Sequence, residues 1–334
     1  MNSRYVIAGL LQREYILPPF SRPVLDVPGG SALYAAAGVR VWDTDIGLLS
    51  RVGENYPQVW MEGFEQRGVD TAGIRIMPGN MELRSFKAYT EDYELSAAAP
   101  VAHFARRKID YPKSLLGYKP ALESETDPRR ANPRFPAVSD IPDEYLHASA
   151  VHLCPMDFIN QEQLLSAFKT GTASTITIDP SMGYMHPGFM KDMFGLLNGV
   201  TAFLPSQQEL EKLYWGKKAD LWEIAEELGK FGPDMIVIKC GGRGQMLYDV
   251  GGKRRWEVPA YPSRVADPTG SGDAFSGGFL AGYRTTYDPL EATLYGNVSA
   301  SLNLEGSGAF NSMDVMPGLA QARLDVIRNL ARRI

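Results

Sequence analysis

Cysteine is scarce in this chain. Cys154 and Cys240 are the only two among 334 residues, without CxxC spacing, which excludes a disulfide framework and leaves two reduced thiols of a cytoplasmic protein as the expectation. The four histidines, His103, His147, His152 and His186, show no metal-ligand spacing with one another. No apolar run is long enough to span a bilayer, and after Gly9 the N-terminus turns polar at Gln12-Arg13-Glu14, too soon for a signal peptide, so no membrane partner is expected. Basic charge is not in excess either. Lys and Arg number 34 against 39 Asp and Glu, a net charge of -5, and Arg106-Arg107-Lys108 and Arg129-Arg130 are short runs, which argues against a nucleic-acid partner. Neither GxxxxGK[ST] nor GxGxxG occurs, so a P-loop NTPase and a dinucleotide oxidoreductase are both unsupported.

Apolar residues make up 44% of the chain, enough for a large core. Short β-rich runs at Tyr5–Ala8, Ile46–Ser50, Ala150–Leu153, Thr175–Ile178, Ala202–Leu204 and Met235–Lys239 alternate with helical patterns at Ala32–Val41, Val59–Arg67, Gln161–Lys169, Gln207–Tyr214 and Leu221–Lys230. That alternation predicts an α/β fold with a largely parallel sheet and helices on both faces. Two stretches depart from it. Ile74–Ile76 and Glu82–Thr90 alternate apolar and polar residues, as half-exposed strands of a small sheet would. Residues 103–142 are rich in proline and charge, which predicts an irregular excursion, either a mobile loop or an oligomer contact that would make the protein a homodimer.

The most informative segment is Asp267-Pro-Thr-Gly-Ser-Gly-Asp273, followed by a helical run from Ala274 to Tyr283. Gly270, Ser271 and Gly272 would form the approach to a helix N-terminus, where unpaired N–H groups hold an anion, with the Asp273 carboxylate beside them. Gly277, Gly278 and Gly282 inside the helix each cost roughly 1 kcal/mol relative to Ala, which predicts very close passage to another element, expected to be a sheet strand. On its own, the segment also reads as a Gly-rich turn. Its order and late position resemble the signature of the ribokinase-like (PfkB) carbohydrate and nucleoside kinases.

This resemblance implies a three-layer α/β/α kinase domain over residues 1–334 with a mainly parallel central sheet and a small β-lid, its strands drawn from about 10–28 and 74–102. It further implies ATP and Mg²⁺, with Asp273 as the base accepting the proton of an attacking hydroxyl and the amides of Gly270 to Asp273 as an anion hole. Ile238-Lys-Cys-Gly-Gly-Arg-Gly244 resembles the family's strand-then-glycine segment at the ATP phosphates and ribose, which assigns Lys239, Gly241 and Gly244 to the nucleotide, although Lys239 stands where Thr is frequent. Asn297 matches a residue lining the nucleotide pocket. A hairpin turn and a buried polar helix residue are the plain alternatives. Pro205-Ser-Gln-Gln-Glu209 resembles an Asn-x-x-Glu segment whose Glu organises water-bound Mg²⁺; Glu209 matches and Ser206 replaces Asn, and a surface-helix Glu is the alternative. Asp267 and Thr269 resemble positions that bind a monovalent cation such as K⁺ in some relatives.

Pro28-Gly-Gly-Ser-Ala-Leu-Tyr34 resembles the family's N-terminal signature, in which Gly29 and Gly30 let backbone approach the acceptor. Relatives usually carry Asn at Tyr34 and Asp at Glu14. Glu14 can still pair with hydroxyls while Tyr34 offers a ring face and one O–H; a surface Glu and a core aromatic are the alternatives. The roles of Asp179 and Cys154, at strand ends, stay open. The implied function is phosphorylation of a hydroxyl, expected to be a hydroxymethyl, of a sugar or sugar-like small-molecule acceptor. A nucleoside acceptor is the alternative, and a catalytically weak ligand-binding regulator of the same fold the third.

Overall fold

The computed structural model describes residues 4–120, 127–217 and 220–334. The chain opens with strand β1 (Tyr5–Ala8), then strands β2 (Gln12–Leu17) and β3 (Val24–Gly29), helix α1 (Ser31–Arg40), β4 (Ile46–Gly53), α2 (Gln58–Gln66), β5 (Val69–Asp70), β6 (Ile74–Met77), β7 (Arg84–Tyr89), β8 (Leu95–Ser96) and α3 (Pro100–Arg106). It continues through β9 (Ala150–Leu153), α4 (Phe158–Thr170), β10 (Thr175–Ile178), α5 (Met190–Leu197), β11 (Ala202–Phe203), α6 (Gln207–Leu213), α7 (Leu221–Gly229) and β12 (Met235–Lys239). Last come β13 (Gln245–Asp249), β14 (Arg254–Val258), α8 (Ser271–Thr286), α9 (Pro289–Leu304), α10 (Ala309–Met313), α11 (Leu319–Arg328) and β15 (Arg332–Arg333). Among the described residues no helix is long and apolar enough to cross a membrane.

The large sheet runs β15-β14-β13-β12-β11-β10-β9-β1-β4-β5, parallel from β12 to β5 and antiparallel in its β13–β15 tail. Both faces are covered, which is why its strands read as continuous apolar runs. Successive side chains of β1 feed opposite cores: Val6 and Ala8 join Leu164, Met193, Leu210 and Ile224 of α4 to α7, while Tyr5 and Ile7 join the α1 side with Leu33 and Leu280. The chain leaves β1 for β4 on one side and β9 on the other, so the strand order reverses at β1. In open sheets, ligands bind beyond the carboxyl ends of the strands at such a reversal.

The second sheet has the order β3-β2-β7-β8. Residues 84–89 belong to it as expected, whereas Ile74–Met77 does not: β6 pairs in parallel with the far half of β4, Ser50 opposite Ile74 and Gly53 opposite Met77. Half-exposed alternation marks an edge strand of either sheet, so the pattern could not choose between them. The irregular segment also has more structure than its prolines suggested. Helix α3 runs into it, and Phe104 and Leu115 bury against Tyr15, Leu17, Phe86 and Ala88 on the back of the small sheet.

The glycines of α8 meet helices rather than the expected strand. A Cβ on Gly277 would fall 1.8 Å from the carbonyl oxygen of Ala35 in α1, and one on Gly38 would fall 2.0 Å from that of Ala274. The two backbones therefore cross in direct contact, and small residues on both helices are what permit it.

Candidate active site

Helix α8 starts at the carboxyl edge of the large sheet. Gly270, immediately before it, adopts φ 72°, and a Cβ there would sit 2.1 Å from Cγ of Tyr34, so both conformation and space require glycine. The Ser271 N–H bonds the Pro268 carbonyl at 3.3 Å, and Ala274 N–H bonds the Gly270 carbonyl at 2.8 Å. Among the described residues the amides of Gly270, Gly272 and Asp273 have no such partner, leaving them, rather than Ser271, as the N–H groups open to an anion.

Asp273 lines a cavity of about 550 Å³ together with Gly272, Lys239, Asp179, Gly241 and Glu209. Burial, reinforced by Asp179, pushes the Asp273 carboxyl up to about 7 against the opposing pull of Lys239 and Lys87. Lys239, at the end of β12, pairs with Asp179 at the end of β10, whose Oδ2 also accepts from Ser276 Oγ at 2.9 Å. Burial acts against the Lys239 ammonium, but Asp179 and Glu209 outweigh it and hold its pKa above the ordinary value. For Asp179 burial prevails over Lys239 and Ser276, and its pKa is raised.

Glu209 is the third residue of α6 and closes a capping box. Its Oε2 accepts from the Ser206 N–H at 2.6 Å and hydroxyl at 2.7 Å, and Ser206 Oγ accepts from the Glu209 N–H at 3.2 Å. Burial, followed by Asp179, raises its pKa to about 7. It is a buried residue in the same cavity as Asp273, not a surface-helix Glu. No group of three or more metal-ligating side chains occurs among the described residues. A Mg²⁺ ion needs few, since it retains waters and takes phosphate oxygens, so the Glu209 carboxylate on the wall of this cavity fits it.

A second cavity, about 390 Å³, shares Lys239, Gly241 and Gly272 with the first and extends along Tyr261, Phe275 and Asn297. Asn297 is fully engaged: Nδ2 donates to Gln245 Oε1 at 2.7 Å and the Pro259 carbonyl at 2.9 Å, and Oδ1 accepts from Tyr261 N–H at 3.0 Å. It shapes the cavity wall and has no amide hydrogen left for a ligand. Gly244 lines neither cavity. At φ 95° it packs where a Cβ would meet the Val258 carbonyl at 2.0 Å, so it makes the turn after β12.

Asp267 and Thr269 are buried behind the turn. Asp267 Oδ1 accepts from Thr269 N–H at 2.9 Å, its Oδ2 has no hydrogen-bond partner, and burial raises its pKa. The Thr269 carbonyl accepts from Asn303 Nδ2 at 2.7 Å and its hydroxyl donates to Tyr89 OH at 3.1 Å.

The acceptor residues of the sequence reading meet one another. Glu14 is fully buried and lies against Gly29, where a Cβ would fall 2.2 Å from its carboxylate. Its Oε1 accepts from Gly30 N–H at 3.2 Å and from Lys87, and its Oε2 accepts from Tyr34 OH at 2.7 Å. Tyr34, buried beneath Gly270, presents no open ring face, which corrects the expectation of a stacking platform. Glu14 keeps little spare acceptor capacity. Lys87 was missed from sequence, although alternation in β7 places it opposite Phe86 and Ala88, which face the small sheet's own core. Burial opposes its charge, and Glu14 more than compensates, so its pKa is raised.

A doubly covered parallel sheet with a small second sheet, and an aspartate at a glycine-led helix start, define a ribokinase-fold phosphotransferase. Residues 142–316, just over half of the chain, match the pfkB family carbohydrate kinases, and the chain belongs to that family. It is similar to the cytidine kinase of Thermococcus kodakarensis, 27% identical over 83% of this chain and 87% of the relative. Among solved structures it resembles the Burkholderia thailandensis nucleoside kinase in complex with inosine, with TM-score 0.70, 17% identity and coverage of 97% and 99% of the two chains. It also resembles a candidate ribokinase II from E. coli in complex with ATP and Mg²⁺, with TM-score 0.66, 17% identity and coverage of 98% and 99%.

Proposed function

We propose that the protein transfers the γ-phosphoryl group of ATP to a hydroxymethyl or similar hydroxyl of a sugar-like small molecule, with Asp273 as general base. The observation that supports this best is the placing of Asp273 in the first turn of α8. There a carboxylate with its pKa raised to about 7 stands beside unpartnered amides. A base titrating near neutrality takes the hydroxyl proton as the oxygen attacks, and the Gly272 and Asp273 N–H groups stabilise charge on the transferring group. Lys239 holds positive charge at the junction of the two cavities, where nucleotide phosphates would lie with the rest of the nucleotide along Tyr261 and Phe275.

Glu209 would hold Mg²⁺ through water, and the bound ion would neutralise charge on the phosphates. Asp267, with a buried oxygen that accepts no hydrogen bond, would hold a monovalent cation such as K⁺ behind the anion hole. Thr269 would contribute by fixing Asp267 rather than through its already bonded carbonyl.

The acceptor would lie between Asp273 and the lid face that carries Lys87 and Glu14. A nucleoside acceptor is favoured by the similarity to a cytidine kinase over most of both chains, although the buried Tyr34 provides no stack for its base. ATP consumption measured against a panel of sugars, polyols and nucleosides decides between them. Ribose is expected to be a poor substrate, because Glu14 is already tied to Gly30, Tyr34 and Lys87. Efficient ribose turnover that survives Glu14→Gln would overturn this account of the pocket.

A further inference from the structure

We infer that Tyr93, at the tip of the lid turn between β7 and β8, is a nucleotide-positioning residue whose ring closes the ATP cavity from the lid side. The inference rests on the reading of that 390 Å³ cavity as the nucleotide site. Tyr261, Phe275 and Leu304 wall it from the main body, and among the described residues Tyr93 lines it from the lid.

Tyr93 occupies an unfavourable conformation. Its φ is 62°, in a turn closed by Tyr93 N–H to the Thr90 carbonyl and Thr90 N–H to the Glu94 carbonyl, each at 3.0 Å. Bulky residues seldom adopt left-handed backbone, and glycine would make the same turn without strain. The ring is also no core element, being 38% exposed. A large aromatic held at a strained, half-open position beside a cavity is explained by what enters the cavity.

The surrounding contacts show how the lid reaches this point. Ser21 Oγ donates to the Ala266 carbonyl at 3.1 Å, Thr269 Oγ1 donates to Tyr89 OH at 3.1 Å, and Tyr93 OH reaches the Val265 carbonyl at 3.4 Å. Phe20 meets the Tyr93 ring edge-on with centroids 6.0 Å apart. Ser21 and Tyr89 already fasten the lid to the 265–269 segment. What Tyr93 adds is an aromatic surface at the cavity mouth, on the same sheet whose inner face carries Glu14 and Lys87, so filling the cavity with nucleotide favours the lid position that presents those residues.

The test is binding of a non-hydrolysable ATP analogue by calorimetry, with melting temperature measured on each protein. Tyr93→Gly relieves the backbone strain, so it should melt no lower than the unmodified protein while binding the analogue about fivefold or more weakly, the loss of one aromatic stack on a base. Tyr93→Phe keeps the ring and should restore most of that affinity. Ala300→Trp, which fills the cavity from α9, should abolish analogue binding. If it does and Tyr93→Gly binds normally, the cavity is the nucleotide site but the role of Tyr93 is refuted. If Ala300→Trp binds normally, the cavity reading fails and the inference falls with it. A fall in melting temperature that accompanies the affinity loss in Tyr93→Gly would reduce Tyr93 to a structural clasp and overturn the proposal.

Discussion

Replacing Asp273 by Asn keeps the size of the side chain and removes its use as a base, so turnover should fall about 10²–10⁴-fold with little change in acceptor affinity. Since the carboxyl is pushed up to about 7, kcat/KM of the unmodified enzyme should rise with pH through that value and level off above it. The same shift has the opposite sign for stability. A folded pKa above the unfolded one means that the native state binds the proton more tightly, so the contribution of Asp273 is intact below the unfolded carboxyl pKa and is lost as pH rises through about 7. Asp273→Asn should therefore melt higher than the unmodified protein at pH 8, with the gap closing between pH 7 and 4 in a pH series of thermal melts. Glu209→Gln should raise the Mg²⁺ concentration needed for half-maximal rate and leave acceptor KM almost unchanged. Its capping box survives in part, because Gln can also accept from Ser206; an unaltered Mg²⁺ titration would leave Glu209 with the cap alone.

At the scale of elements, the lid is held from behind by its own chain. Phe104 and Leu115 are buried on the outer side of β2 and β7. Leu115→Ala should weaken the lid's attachment by about 2–5 kcal/mol. The effect should be faster amide exchange in residues 12–17 and 84–89 with little change in the large sheet. The parallel strands β1, β4 and β9 to β12 were legible because each carries a short apolar run that a doubly covered sheet explains, whereas the antiparallel tail β13 to β15 and helices α5 and α9 to α11 were not read from sequence. The limits of the elements that were read shifted by up to three residues, as for β4, which continues past Ser50 to Gly53. The lid was legible only where alternation met a known neighbour. Ile74–Met77 has the same pattern and lies elsewhere, because period 2 records exposure on one face and not which strand lies alongside. Proline in residues 103–142 pointed to an irregular excursion but not to Phe104 and Leu115 covering an apolar face of the small sheet.

For the whole molecule, replacing K⁺ with Na⁺ or a bulky organic cation should lower turnover if Asp267 holds a monovalent ion, and Asp267→Asn should abolish that dependence. A rate indifferent to the cation would return Asp267 to a turn role. The Asp273 turn was legible as a helix start from its residue order, while its assignment as anion site and base came from the family resemblance. The sequence reading missed the linking of Glu14, Tyr34 and Lys87, which come from three separate segments and meet only after the lid folds over α1.

The crossing of α1 and α8 has a consequence for which acceptors can react. Helix α1 begins beside Gly29 and Gly30, α8 begins at the proposed phosphoryl site, and their backbones touch at Ala35 with Gly277 and at Gly38 with Ala274. Two rods joined at such a contact act as a fixed caliper. The gap between the place where an acceptor would be gripped and the place where its oxygen would attack is then fixed by that contact. An acceptor one carbon longer or shorter between its gripped end and its reacting hydroxyl would present that oxygen out of line, however well its other groups were recognised.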